Sequence, residues 1–246
     1  MQHQPLQKLL QQGLAWRGWQ SETTANKGNM VLDTGYDSLN AQLHGNGWPQ
    51  GGLIEVFGSI HHHLECLLYF HALRTLFEHK PGGHAVLINP PFQPLAETWL
   101  RQNLPLNRIV IINSQKPDDA LMSFRELAKA KSCIAILFWH PHLNYAASRQ
   151  CQLAVQNQAG LYVTFKPDIQ SSQASPSALK LKVDMTASHC DIQILKQRGH
   201  LQTSTAAELK LPLPDLWRSS TPMDFCAPAP KEKRATQYGT VVKHSF

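Results

Sequence analysis

The chain reads as an α/β protein, a three-layer αβα sandwich on a mainly parallel sheet with an antiparallel edge extension. Three observations predict this. Near-continuous apolar runs of strand length recur, as in Ile134-Ala135-Ile136-Leu137-Phe138, and strands buried on both faces have that pattern. Segments with helical apolar spacing lie between them. Turn-forming clusters such as Pro81-Gly82-Gly83 punctuate the series. Right-handed crossovers between parallel strands then place helices on both faces of the sheet.

The elements follow in order. Residues 6–16 carry apolar positions at Leu6, Leu9, Leu10, Leu14 and Ala15 and read as a short amphipathic helix. An aromatic and basic cluster, Trp16-Arg17-Gly18-Trp19, ends it, and residues 20–29 read as a polar linker. Residues 1–30 are therefore an N-terminal helix and linker, and the core spans 31–200. A short helix starts within 34–39, with Asp37 or Ser38 as its cap. A turn-rich loop covers 45–52. Strands are expected at 53–57, 84–89, 108–112, 134–139 and 161–165. Helices are expected at 64–79, 94–102, 118–129 and 144–158. After a polar loop at 168–177, strands at 179–184 and 191–195 read as the antiparallel extension. Residues 201–246, rich in Pro, Ser, Thr and Lys, read as a flexible tail.

Bulk properties narrow the functional classes. The 246 residues, 42% of them hydrophobic, suit one α/β domain with extensions. A net charge of +6 permits nucleic-acid or acidic-protein partners. No uninterrupted apolar run is long enough to span a bilayer, and the first residues do not read as a secretory leader. Five scattered cysteines fit reduced thiols, so a cytoplasmic protein with no membrane partner is expected.

The strand at 53–57 runs into Gly58-Ser59-Ile60-His61-His62-His63-Leu64-Glu65 and then a helix. That layout is a nucleotide-binding loop, but the loop needs Gly-x-x-x-x-Gly-Lys-Ser/Thr. Backbone amides wrap the phosphates, a lysine neutralises them and a hydroxyl holds magnesium. Only Gly58 fits. His63 replaces the second glycine, Leu64 the lysine and Glu65 the hydroxyl, and a carboxylate there repels a triphosphate. The magnesium-linked aspartate of such enzymes is missing as well: no Asp or Glu occurs from residue 131 to 160. Pro90-Pro91 follows the strand ending at Asn89, where a water-activating carboxylate would stand. The expectation is a degenerate loop, no catalysis and no cofactor.

Other chemistries fit less well. His61, His62 and His63 point in different directions once a helix begins, so at most two could join Cys66 on a metal. No second Cys/His pair at zinc-ligand spacing occurs, and a polar loop is the simpler reading, as it is for His140 and His142. Cys151 reads as a core thiol. Ser59 lacks the flanking glycines of a nucleophile elbow, since Phe57 and His61 stand there.

The sequence Leu32-Asp33-Thr34-Gly35-Tyr36-Asp37-Ser38-Leu39-Asn40 resembles the Thr-Gly-x-x-x-Leu-Asp stretch of RecA-type proteins, with Asn40 in place of the aspartate. The run Gly45-Asn46-Gly47-Trp48-Pro49-Gln50-Gly51-Gly52-Leu53-Ile54-Glu55-Val56 is similar to Gly-Gly-Gly-Trp-Pro…Leu-x-Glu of the ImuA family. Trp16-Arg17-Gly18, Leu179-Lys180-Leu181-Lys182-Val183-Asp184 and Ile194-Leu195-Lys196-Gln197-Arg198-Gly199 also resemble that family. The likeness spans roughly residues 14–200. Residues 52–167 also look like SulA, an SOS-induced cell-division inhibitor of the same degenerate RecA-like fold.

The ImuA resemblance implies a non-catalytic RecA-like adaptor of the SOS mutasome. Its partners would be an ImuB-like Y-family protein, RecA and an error-prone polymerase, together supporting translesion synthesis. The SulA resemblance implies binding of the division GTPase FtsZ instead, and an unorthodox ATPase is a third reading. By the same resemblance, Lys166, Lys180, Lys182, Lys196 and Arg198 lie where RecA-type loops face single-stranded DNA. A solvated edge strand carrying lysines explains them equally. Trp16, Arg17 and Trp19 have the chemistry of an interface anchor or of a helix packed on the core. Glu208-Leu209-Lys210-Leu211-Pro212-Leu213 is similar to the Gln-Leu-x-Leu-Pro-Leu peptide that enters the sliding clamp, with Glu208 replacing the glutamine. Leu209, Leu211 and Leu213 would be its apolar contacts; a plain extended segment is the simpler reading.

Overall fold

A computed structural model describes residues 32–58, 63–186, 189–198 and 208–212, with backbone alone at 63–65. The sheet has eight strands in the order β3-β2-β4-β5-β1-β6-β7-β8. These are β1 Leu53–Gly58, β2 His84–Ile88, β3 Ile109–Ile112, β4 Cys133–Trp139, β5 Leu161–Pro167, β6 Leu179–Met185, β7 His189–Gln197 and β8 Glu208–Pro212. Pairing is parallel from β3 through to β6 and antiparallel for β6–β7 and β7–β8.

Two expectations change here. The sequence treats the strand at 179–184 as part of the antiparallel extension, but β6 runs parallel to β1, and the extension is β7 with β8. The sequence also assigns everything past 200 to a tail, yet Glu208–Pro212 closes the sheet. Leu209 and Leu211 alternate with Glu208, Lys210 and Pro212, which are exposed, and Leu211 is fully buried. The exposed Glu208, Lys210 and Pro212 protect this outer edge from further pairing.

The helices are α1 Asp37–Asn40, α2 Phe70–His79, α3 Ala96–Arg101, α4 Pro117–Lys129 and α5 Tyr145–Val155. The single helix expected over 64–79 divides into a 3₁₀ segment, His63–Tyr69, and α2. Tyr69, at φ −104° and ψ −2°, marks the change of winding. Neither Asp37 nor Ser38 caps α1; Tyr36 holds that position without a side-chain bond. The turn is built by Asn40 instead. Its amide donates to Asp33 Oδ1 at 2.8 Å, and its carbonyl accepts from Thr34 N and Thr34 Oγ1. A carboxylate at 40 could not do both, since it lacks a donor. α5 has an ordinary cap, with Asn144 Oδ1 accepting from Ala147 N at 2.9 Å.

Each sheet face has its own core. On one, Ile54, Val56, Leu137, Val163 and Phe165 pack against Leu39 of α1, Leu73 of α2 and Trp99 of α3. Trp48 joins this side with its ring 4.7 Å from Tyr69. On the other, Leu53, Val86, Ile136, Phe138 and Tyr162 pack against Phe124 and Ala128 of α4 and Cys151 and Val155 of α5. Arg108 ties α2 to the strands. It donates to the carbonyls of Gly83, Phe77 and Lys80 and lies over the Phe77 ring at 4.5 Å. Among the described residues, no helix is long and apolar enough to cross a membrane.

Candidate functional site

Strands β5 and β6 both pair with β1, one on each side. Residues 168–178 must therefore return across the sheet face over β1. Such parallel crossovers usually contain a helix; this one has only a 3₁₀ turn, Asp168–Gln170. It lies on the α5 side of the sheet. What it covers is a row of charged residues in register: Glu55 of β1 beside Lys180 of β6, and Lys180 beside Lys196 of β7.

Glu55 is the centre of this row and has no exposed side-chain surface. Its Oε1 accepts from Lys166 Nζ at 2.7 Å and from Ser148 Oγ of α5 at 2.7 Å. Lys166 Nζ also donates to Ser148 Oγ at 2.8 Å. Its Oε2 accepts from Ser175 Oγ and, at 3.4 Å, from Ser177 Oγ, both on the crossover. The acceptor capacity of the carboxylate is thereby filled. Burial opposes the charge on Glu55, but the Lys166 ammonium and the bonds from Lys166, Ser175 and Ser148 prevail. Its carboxyl is held below the usual range.

The remaining lysines pin the crossover backbone. Lys180 Nζ donates to Gln173 O at 2.7 Å, and Lys196 Nζ to Ser175 O at 2.6 Å and Ser177 O at 3.1 Å. Burial lowers the pKa of both. Phe57 floors the site, with Lys166 and Lys180 Nζ 5.7 and 5.0 Å from its ring centre. At the outer end, Lys182 pairs with Asp168 at 2.9 Å, and the Asp168 bond raises the lysine's pKa.

The five basic residues read from the sequence as nucleic-acid contacts thus separate. Lys166, Lys180 and Lys196 turn inward and are occupied by the carboxylate and the crossover carbonyls. Lys182 is half-exposed within its ion pair. Arg198 is exposed and borders a cleft of about 290 Å³ with Gln50, Gln156, Asn157 and Gln158. Period-two alternation places Lys180 and Lys182 opposite Leu179, Leu181 and Val183. The reading of that face as open fails because the crossover lies over it.

Gly58 ends β1, and a Cβ there would collide with the carbonyl oxygen of Val183 on β6. Strand packing therefore accounts for this glycine without a phosphate. His63, Leu64 and Glu65 lie at the start of the 3₁₀ segment, and residues 59–62 fall outside the described residues. So do Trp16, Arg17, Trp19 and Leu213. Leu209 and Leu211, the clamp-peptide candidates, lie in β8. Their side chains face the core of this sheet. His140 is buried, and burial lowers its pKa. Its Nδ1 accepts from His142 N at 3.2 Å. Among the described residues no group of three His, Cys, Asp or Glu converges as a metal site.

The sequence pointed to Glu55 only within a motif and missed Ser148, Ser175 and Ser177. Glu in the middle of an apolar strand was the available signal, because a charge there demands a partner.

No family model matches the chain, and no curated protein matches it. A similar solved structure is the crystal structure of SulA from Pseudomonas aeruginosa. It is 23% identical over 48% of this chain and 99% of that one, with a TM-score of 0.38. A likeness of that size assigns neither fold nor activity. What the geometry defines is a mixed α/β domain in which Glu55 of β1 and Lys166 of β5 form an enclosed pair beneath a crossover whose one regular element is a 3₁₀ turn.

Proposed function

We propose that the chain is a non-catalytic adaptor with a RecA-like core, acting in the cytoplasm in SOS-induced damage tolerance. It would work beside an ImuB-like Y-family protein, RecA and an error-prone polymerase. The observation that carries this reading is where the ImuA-like motifs fall. The glycine-rich run leads into β1, the second motif is β6, and the third lies in β7 and the residues just after it. These strands are neighbours, and lysines from the second and third hold the crossover that covers Glu55 of the first. The first motif, more than a hundred residues before the other two, thus shares one local arrangement with them.

Support for the absence of catalysis comes from the strand ends. β4 runs into His140-Pro141 and β2 into Asn89-Pro90. Asn89 is used locally, at φ 51°, with its Oδ1 accepting from Ser114 N at 2.7 Å. The carboxylate of β1 is already saturated.

The test is deletion and overproduction in the host, with damage-induced mutation frequency and cell length both measured. Loss of induced mutagenesis on deletion, with normal division on overproduction, is expected. Filamentous cells with unchanged mutagenesis would sink the proposal and favour an FtsZ-binding inhibitor. Tight ATP binding abolished by changing the loop at 61–64 would favour an ATPase.

A further inference from the structure

The covered row holds more positive charge than its carboxylate can balance. Glu55 is answered by Lys166 alone at bonding distance. Lys180 is 6% exposed and Lys196 half-buried. Both ammonium groups donate to backbone carbonyls of the crossover, and Lys180 also lies over the Phe57 ring. The charges acting on Lys180 are Glu55, Lys166 and Lys196; those acting on Lys196 are Glu55 and Arg198. Asp168 and Asp184 are engaged by Lys182 one row away. Three ammoniums thus share one carboxylate in a region largely shut from water. Interior charges are ordinarily paired, because an unbalanced one forfeits hydration without an ionic partner.

The cover is also poorly rooted. The largest apolar side chain of residues 168–176, Ile169, is 86% exposed. The segment is held instead by polar bonds: Asp168 to Lys182, Gln170 to the Pro141 carbonyl, the three carbonyls on Lys180 and Lys196, and the two serines on Glu55. An anion offers the lysines better acceptors than neutral carbonyls do, since charge-assisted bonds are roughly twice as strong.

We infer that Lys180 and Lys196 form a binding site for a phosphate group, opened when the crossover lifts its carbonyls away from them. Phosphate suits the geometry. Two ammoniums on paired strands can each take one of its oxygens. Lysine serves phosphate as a point charge. The group could be free phosphate or a nucleic-acid backbone, and the proposal stands independently of the adaptor reading above.

The test titrates the full chain with inorganic phosphate and, separately, with single-stranded oligothymidine, by calorimetry in phosphate-free buffer at low salt. Amide hydrogen exchange over residues 171–177 is followed in both arms. Binding is expected with faster exchange in the crossover. The substitution Lys196→Met is expected to weaken binding at least about tenfold, while Lys196→Arg retains it and Lys210→Met, on β8, leaves it unchanged. Lys196 is the position of choice because it is only half-buried; native circular dichroism of the variant confirms folding. Tighter binding of the oligonucleotide with a steep salt dependence assigns a nucleic-acid backbone. Equal or tighter binding of phosphate assigns the free ion. The proposal is overturned if neither probe binds, if Lys196→Met binds as well as wild type, or if the crossover becomes slower to exchange.

Discussion

Glu55 and Lys166 meet at 2.7 Å from adjacent parallel strands, two residues out of register along one sheet face. Neither side chain reaches solvent to any useful extent. A pair of this kind stabilises little relative to well-packed apolar residues, but its halves depend on each other. Lys166→Met should therefore cost about 3–5 kcal/mol by removing the one ammonium that bonds the buried carboxylate directly. The double variant Glu55→Leu with Lys166→Met should recover most of that loss. Urea denaturation of the two singles and the double decides it; additive losses would contradict the pairing.

Acid should act through the same carboxyl. Its folded pKa is depressed, with burial opposing the charge and Lys166 and the hydrogen bonds outweighing burial. The unfolded chain then binds more protons once the pH falls below about 4.3, the ordinary value for Glu. The contribution of Glu55 to stability is complete above that pH and disappears as the pH falls through the lower folded value. Urea midpoints from neutral pH down to about pH 3 should drop less steeply for Glu55→Gln than for wild type, starting from a lower plateau.

Arg108 gives a prediction away from the site. It satisfies three carbonyls at the end of α2 and just beyond it, and stacks on Phe77. Arg108→Ala should destabilise the domain by about 2–3 kcal/mol, since hydrogen bonds from a charged donor are among the stronger ones. Arg108→Lys should rescue only part of this, because a single ammonium cannot span the fork. Thermal unfolding of both variants provides the comparison.

The eighth strand should matter in proportion to Leu211. Replacing this fully buried side chain by Ala should cost about 2–5 kcal/mol. A stop after residue 207 should cost at least as much and open the amides of β7 to exchange. An unchanged exchange pattern would argue against the pairing of β7 with β8.

Burial pushes the thiols of Cys133 and Cys151 up to about 12. Both should stay protonated at pH 8 and resist thiol-modifying reagents until the chain is unfolded. Peptide mapping after labelling with and without urea reads this out directly.

Much of this molecule is legible in its residues. β4 announces itself as an unbroken apolar run because both its faces are covered. Helix α4 is equally plain, with Phe124 and Ala128 on one face and Asp118 and Asp119 in the first turn. The crossover is not legible, since an irregular segment has no period and its attachments are remote in sequence. Ser175 finds Glu55 across a separation of 120 positions, and Ser148 reaches it across 93. Local pattern shows that Lys180 and Lys182 share a face, but not that something lies on it. Leu209 and Leu211 alternate as a strand should, yet their proline- and serine-rich surroundings read as tail.

The central position of β1 also bears on how the chain is made. Among the described strands it is the first to leave the ribosome, and both its neighbours, β5 and β6, come late, with Thr164 reaching Ile54 across 110 positions. Through most of synthesis this apolar ribbon, with a carboxylate in its middle, has no partner on either side. Non-local pairing of this kind closes slowly, so a nascent chain should rely on holdase chaperones until roughly residue 185 has emerged.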